Sequence, residues 1–178
     1  MDNEQIKINQ LSRKYGTVFT VHGFKWIKGS YSNLTTIVKS FGAIYNVVRS
    51  LALIPVVQRD LNYFTTTKEN WEKCLDTIYG IVKHFKWQKE KFDCDDRAKL
   101  VSALCSLLFG LNTCGELYCE VTSLKTGNKI RHYTNLAITS KGEVMLFDVD
   151  NGGEKKIIDV GEPISMGKWS YRLISARF

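Results

Sequence analysis

The chain has 178 residues, 44% of them hydrophobic and 24% charged, with a net charge of +7. This is an ordinary globular balance, long enough for one sizeable core and too short for two comfortable ones, so a single domain over 1–178 is expected. The start Met1-Asp2-Asn3-Glu4-Gln5 is too polar for a signal peptide, and the apolar stretch Leu34 to Val57 is broken by Lys39, Arg49 and Pro55, which excludes a membrane span there.

Residues 15–31 alternate loosely around glycines 16, 23 and 29 and read as one or two short strands or an irregular arm. Asn33 can cap a helix from Leu34 to about Leu53, with Ile37, Phe41, Ile44, Tyr45, Val48 and Leu51 at helical spacing and Pro55 as the stop. Residues 1–66 thus form an N-terminal extension with its helix. Thr67 caps a second helix, whose stripe is Trp71, Cys74, Leu75, Ile78, Tyr79, Val82 and Phe85. A third opens at Asp93-Cys94-Asp95-Asp96-Arg97, runs through Ala98, Val101, Leu104 and Leu108, and ends at Gly110. From Glu116 the pattern turns strand-like: Leu117–Leu124, His132–Thr139, Val144–Val149, Lys156–Val160 and Tyr171–Phe178, parted by glycines. Helices first and an antiparallel sheet afterwards predict an α+β fold.

Charge is uneven: residues 1–90 hold 13 Lys and Arg against 7 Asp and Glu, and residues 91–178 hold 12 against 11. That surplus suits an acidic protein partner, with nucleic acid as the alternative and no membrane. The lysines are dispersed and no nucleic-acid motif accompanies them. The five cysteines (Cys74, Cys94, Cys105, Cys114, Cys119) contain no CxxC pair, and their odd number suits a reducing, cytoplasmic setting. Cys94 and Cys105 lie about 16 Å apart by helical rise, too far to bridge. Cys114 and Cys119 either pack around the turn and first strand or bridge. His22 and His84 have no nucleophile nearby in sequence and read as structural or surface residues.

Cys94 is the residue with chemical promise. A cysteine in the first turn of a helix meets unpaired backbone N–H groups and the positive end of the macrodipole, both of which favour a thiolate. His132 heads one later strand and Asp148 closes the next. Nucleophile, base and orienting carboxylate in that order can run acyl transfer: the imidazole takes the thiol proton, and the carboxylate fixes its tautomer.

The residues Phe92-Asp93-Cys94-Asp95-Asp96, the apolar helix behind them, His132-x-x-Asn135 and Phe147-Asp148 resemble the transglutaminase-like branch of the papain-like superfamily. The pattern is nearest to the version in phage-type proteins and in the protease domain attached to some fungal agglutinins. It covers roughly residues 68 to 152, within a core expected over 67–178. The resemblance implies a papain-like core and a thiol enzyme, most readily a peptidase, with deamidase or acyl-transferase chemistry as variants. It assigns Cys94 as nucleophile, His132 as base and Asp148 as the orienting acid. Arg97 and Tyr133 depart from the usual pattern, and Asp150 competes for the third role. The alternative is an inactive protein of that fold, binding a partner through its basic half, as in a viral protein that disarms a host factor in the host cytoplasm.

An oxyanion needs preorganised donors. The Cys94 backbone N–H is one; Gln88 is a candidate for the second and Trp87 competes with it. Three carboxylates, Asp93, Asp95 and Asp96, crowd the sulfur. Capping bonds relieve that crowding, and so would Ca2+ or Mn2+ on hard oxygen ligands; the resemblance implies calcium, although the chemistry itself requires no cofactor. Asn135, three residues after His132, is expected on the other face of its strand, in a structural role.

Overall fold

The computed structural model describes residues 62–159 and 162–178, together with four short strands earlier in the chain. Two compact units are distinguished, 1–35 and 36–178. Within the first, β1 (Val18–Thr20) and β2 (Gly23–Lys25) form an antiparallel hairpin. All other described elements belong to the second.

There β3 (Ile37–Ser40) pairs antiparallel with β5 (Asn62–Thr65). The helix expected from Leu34 to Leu53 is therefore corrected at its start. Thr35-Thr36-Ile37-Val38 is an unbroken β-branched run, and such side chains fit a pleated strand better than the crowded surface of a helix. The rest of that span lies outside the described residues.

Two helices follow. Helix α1 (Lys68–Val82) is capped by Thr67, whose Oγ1 accepts from Asn70 N at 3.4 Å, and it buries Trp71, Cys74, Leu75 and Ile78. Helix α2 (Cys94–Phe109) starts after Asp93 and stops at Gly110, which takes a left-handed conformation at φ +65°. The Trp71 indole donates to Ile138 O at 3.0 Å, and Ser140 N donates to Thr66 O at 2.8 Å, pinning the start of α1 to the sheet.

The sheet dominates the fold. Its path is β10 (Ile164–Met166), β11 (Trp169–Arg177), β6 (Cys114–Ser123), β7 (Lys129–Ile138), β8 (Val144–Asp148) and β9 (Glu154–Ile158), all antiparallel. β4 (Val56–Val57) adds a short parallel pairing to β11. The two ends of the path approach one another, and Lys156 Nζ on β9 donates to Ser165 O on β10 at 3.0 Å, so the sheet is nearly closed like a barrel. Its interior is filled by Leu117, Cys119, Val121, Leu136, Ile138, Val144 and Leu146. The opposite face packs on the helices, where Asn135 Nδ2 donates to Ala98 O at 3.0 Å.

The expected α+β architecture, with N-terminal helices layered on a C-terminal sheet in a papain-like core, is corrected accordingly. Among the described residues the chain is mostly antiparallel β in a nearly closed sheet, with only two helices. The strands expected after Glu116 are present, but they curl around a core of their own.

Candidate functional site

Cys94 occupies the first position of α2. Asp93, the residue before it, stands at the N-cap without bonding the helix through its side chain. Its carboxylate accepts from Glu90 N at 3.3 Å instead, closing the loop in front of the helix. Cys94 is partly exposed, whereas Cys74, Cys105, Cys114 and Cys119 are buried, and all five are free thiols. Burial pushes the Cys74 thiol up to about 12 and raises those of Cys105 and Cys119 well above the ordinary range.

His132 is buried and forms side-chain hydrogen bonds with both Cys94 and Asp148. Its Nε2 lies 3.1 Å from Asp148 Oδ2. Burial alone would lower the pKa of His132. The Asp148 carboxylate and the Cys94 sulfur outweigh it and hold the ring protonated up to about pH 10.

Asp148 is buried and has a full set of donors. The Tyr171 hydroxyl donates to Oδ2 at 2.7 Å, while Asp150 N and Asn151 N donate to Oδ1 at 2.9 and 3.2 Å. Burial would raise its pKa, but its bond to His132, the imidazolium charge and these donors bring it below the ordinary carboxylate value. Tyr171 is raised by burial and by the adjacent Asp148 charge, so it stays a donor. No sequence signal marked Tyr171; its strand follows the Asp148 strand by more than twenty residues, and only closure of the sheet brings the two together.

Asp150, the competitor for the third role, is engaged elsewhere. Its Oδ1 lies 3.0 Å from Nε of the buried Arg97, an ion pair at an angle that does not make a hydrogen bond. Burial raises its pKa against the lowering effect of Arg97. Arg97 thereby ties the first turn of α2 to the turn that follows Asp148. Gln88 exchanges both backbone hydrogen bonds with Phe92 at 2.8 Å and is exposed, as is Trp87. Asn135 is buried on the helix-facing side, where it also donates to Ser102 Oγ and Gly115 O at 3.2 Å each and so ties α2 to β6.

Asp93, Asp95 and Asp96 do come together, each offering an oxygen within 4.8 Å of the others. Their charge is already balanced in part: Lys99 Nζ lies 2.5 Å from Asp95 and 3.6 Å from Asp96. Ca2+ favours six to eight oxygens, and here it would meet three partly exposed carboxylates and a resident ammonium. The cluster does not fit a resident divalent ion. His132, Asp148 and Asp150 also cluster, but the His132 ring bonds to Cys94 and Asp148.

No protein-family model matches the sequence, and no curated protein is significantly similar to it. Solved structures do resemble it. One, described as a PSL1a–E64 complex, is 17% identical with a TM-score of 0.50, over 79% of this chain and 51% of that one. Another is a Polyporus squamosus lectin bound to the human-type influenza-binding epitope Neu5Aca2-6Galb1-4GlcNAc, 14% identical with a TM-score of 0.50, over 79% and 49%. The chain spans about half the length of these structures, and at such identity the likeness concerns the fold alone. It also corrects the expectation of a papain-like hydrolase of the cysteine-protease type: the similar structures are β-rich, and one is described as a lectin.

Proposed function

We propose that this protein is a thiol-dependent enzyme acting on amide or isopeptide bonds of a protein substrate, with Cys94 as nucleophile, His132 as acid and base, and Asp148 as the orienting carboxylate. The observation that carries this reading is the His132 ring, buried and hydrogen-bonded to Cys94 and Asp148 together. An imidazolium at that place is the counter-ion a thiolate needs. The sulfur adds to the amide carbonyl, and the oxyanion is met by the Cys94 N–H, which has no partner within the helix. Gln88 is the second donor in this reading, with Trp87 as competitor. Collapse of the adduct breaks the C–N bond, and His132 gives its proton to the departing amine. A thioester remains on Cys94; water or a second amine resolves it, and His132 takes up the proton again. No metal step is included.

The test is alkylation of the full chain by E64, an epoxide that reacts with activated thiolates, and by iodoacetamide near neutral pH. Modification at Cys94 alone, absent in Cys94→Ala and slowed in His132→Gln, is the expected result. Labelling of Cys94 no faster than of an ordinary exposed thiol would end the reading. A second reading, a non-catalytic binding protein, draws on the similar structure described as a lectin with a bound glycan epitope. Under it Cys94 would be inert, and calorimetry with that trisaccharide would register binding.

A further inference from the structure

The residues that lead into Cys94 form a surface feature whose lysines the proposed reaction leaves unused. Lys83, Lys86, Lys89 and Lys91 are all exposed, against the single acid Glu90 within the same loop. Phe85 and Trp87 alternate with them and are 44% and 51% exposed, among the few large hydrophobic side chains outside the core. The loop has a defined shape. Phe85 N donates to Val82 O at 3.0 Å, Gln88 and Phe92 close a tight turn, and Glu90 takes a left-handed φ of +60°. The Phe92 ring packs on Phe85 with centroids 6.0 Å apart, and Arg97 Nη1 donates to Phe85 O at 3.4 Å. Lys83 stands over the Tyr79 ring, while Lys86, Lys89 and Lys91 form no ion pair among the described residues. The neighbouring acids are otherwise engaged: Asp93 accepts from Glu90 N, and Asp95 and Asp96 pair with Lys99.

We propose that the loop over residues 83–92 is the docking surface for an acidic segment of the protein substrate, its carboxylates meeting Lys86, Lys89 and Lys91 and an apolar side chain resting on Phe85 and Trp87. This rests on the reading of Cys94 as nucleophile. It places the expected acidic partner on residues continuous with that nucleophile, since Phe92-Asp93-Cys94 delivers whatever the loop holds to the sulfur. Unpaired ammonium groups favour carboxylates through charge complementarity, and exposed aromatic rings among them supply apolar contact at little conformational cost. An anionic membrane would meet the same lysines. Two aromatic side chains, however, offer far less apolar area than an interfacial helix buries in lipid.

The test uses full-length Cys94→Ala protein and three probes: a fluorescent glutamate-rich peptide with a central leucine, its glutamine counterpart, and phosphatidylserine vesicles. The glutamate peptide is expected to bind, and to weaken by about tenfold or more both in high salt and in the Lys86→Gln/Lys89→Gln/Lys91→Gln variant. Trp87→Ala should weaken it further. Equal binding of the glutamine peptide, no loss in the triple variant, or vesicle binding without peptide binding would each overturn the proposal. Iodoacetamide labelling of Cys94 in otherwise wild-type and triple-variant proteins separates docking from chemistry, with equal rates expected. If Cys94 proves inert while peptide binding still follows the lysines, the docking surface stands and the reaction reading falls.

Discussion

At the residue scale the site is a chain of hydrogen bonds from Cys94 through His132 and Asp148 to Tyr171, and protonation is where it is most open to measurement. His132 has a folded pKa of about 10 against an ordinary value of 6.5. Its stabilisation is therefore fully present below about pH 6.5 and is lost as pH rises toward 10. Asp148 is lowered from 3.8, so its stabilisation is present above about pH 4 and lost as pH falls further. Urea midpoints should form a plateau between those limits and decline on the alkaline side, and His132→Gln should flatten that decline. Tyr171→Phe removes a 2.7 Å donor from Asp148. It should cost about 1–2 kcal/mol of stability, typical of a hydrogen bond to a charged group, and shift the pH profile of Cys94 alkylation. A profile identical to wild type would show that Tyr171 only packs.

At the element scale the question is what holds α2 against the sheet so that its first residue meets His132. Arg97 and Asn135 do this from the two ends of the contact. Arg97 is buried, whereas its partner Asp150 is in contact with solvent, so loss of one member leaves a charge that water partly compensates. Arg97→Met should therefore destabilise by about 1–2 kcal/mol, with part of that recovered in Arg97→Met/Asp150→Asn. Denaturant melts of the four proteins give the coupling energy, and a value near zero would make the pair incidental. Gly153 has a different role. At φ +72° it lies in the turn after Asp148, and an added Cβ would meet the Tyr79 ring at 2.5 Å. Its N–H donates to Asp148 O at 2.9 Å. Gly153→Ala should lower stability by about 1–3 kcal/mol and slow Cys94 alkylation by displacing Asp148, whereas the open Gly152 offers a control with backbone strain alone.

At the scale of the whole molecule the nearly closed sheet and the acidic cluster set the remaining expectation. Lys99 already neutralises part of the Asp93, Asp95 and Asp96 charge. Millimolar Ca2+ or Mn2+ added to chelator-stripped protein should therefore shift the melting temperature by less than about one degree, because a ligand stabilises only what it binds. A clear rise would mean that the ion displaces Lys99. The Lys99→Met variant should then respond more strongly than wild type, since the competing ammonium is gone.

The local signals were legible in the chain itself. Thr67 as a cap, Gly110 as a helix stop, Cys94 in a first helical turn and the strands after Glu116 all follow from backbone preference and side-chain period, which act over a few residues. The strand at Ile37–Ser40 was legible too, in its β-branched run, but the looser helical spacing around it masked that signal. Tertiary structure alone decided the rest. Alternation turns His132 toward the barrel interior, with Leu136 and Ile138, while Asn135 faces α2. Strand period would then have separated His132 from Cys94. The first residue of α2 lies beside that end of the strand, and this brings them together instead. Closure of the sheet likewise places Tyr171 on Asp148, and burial makes Arg97 a partner for Asp150. These pairings join residues 23 to 53 positions apart, and only the path of the backbone through space can set such distances.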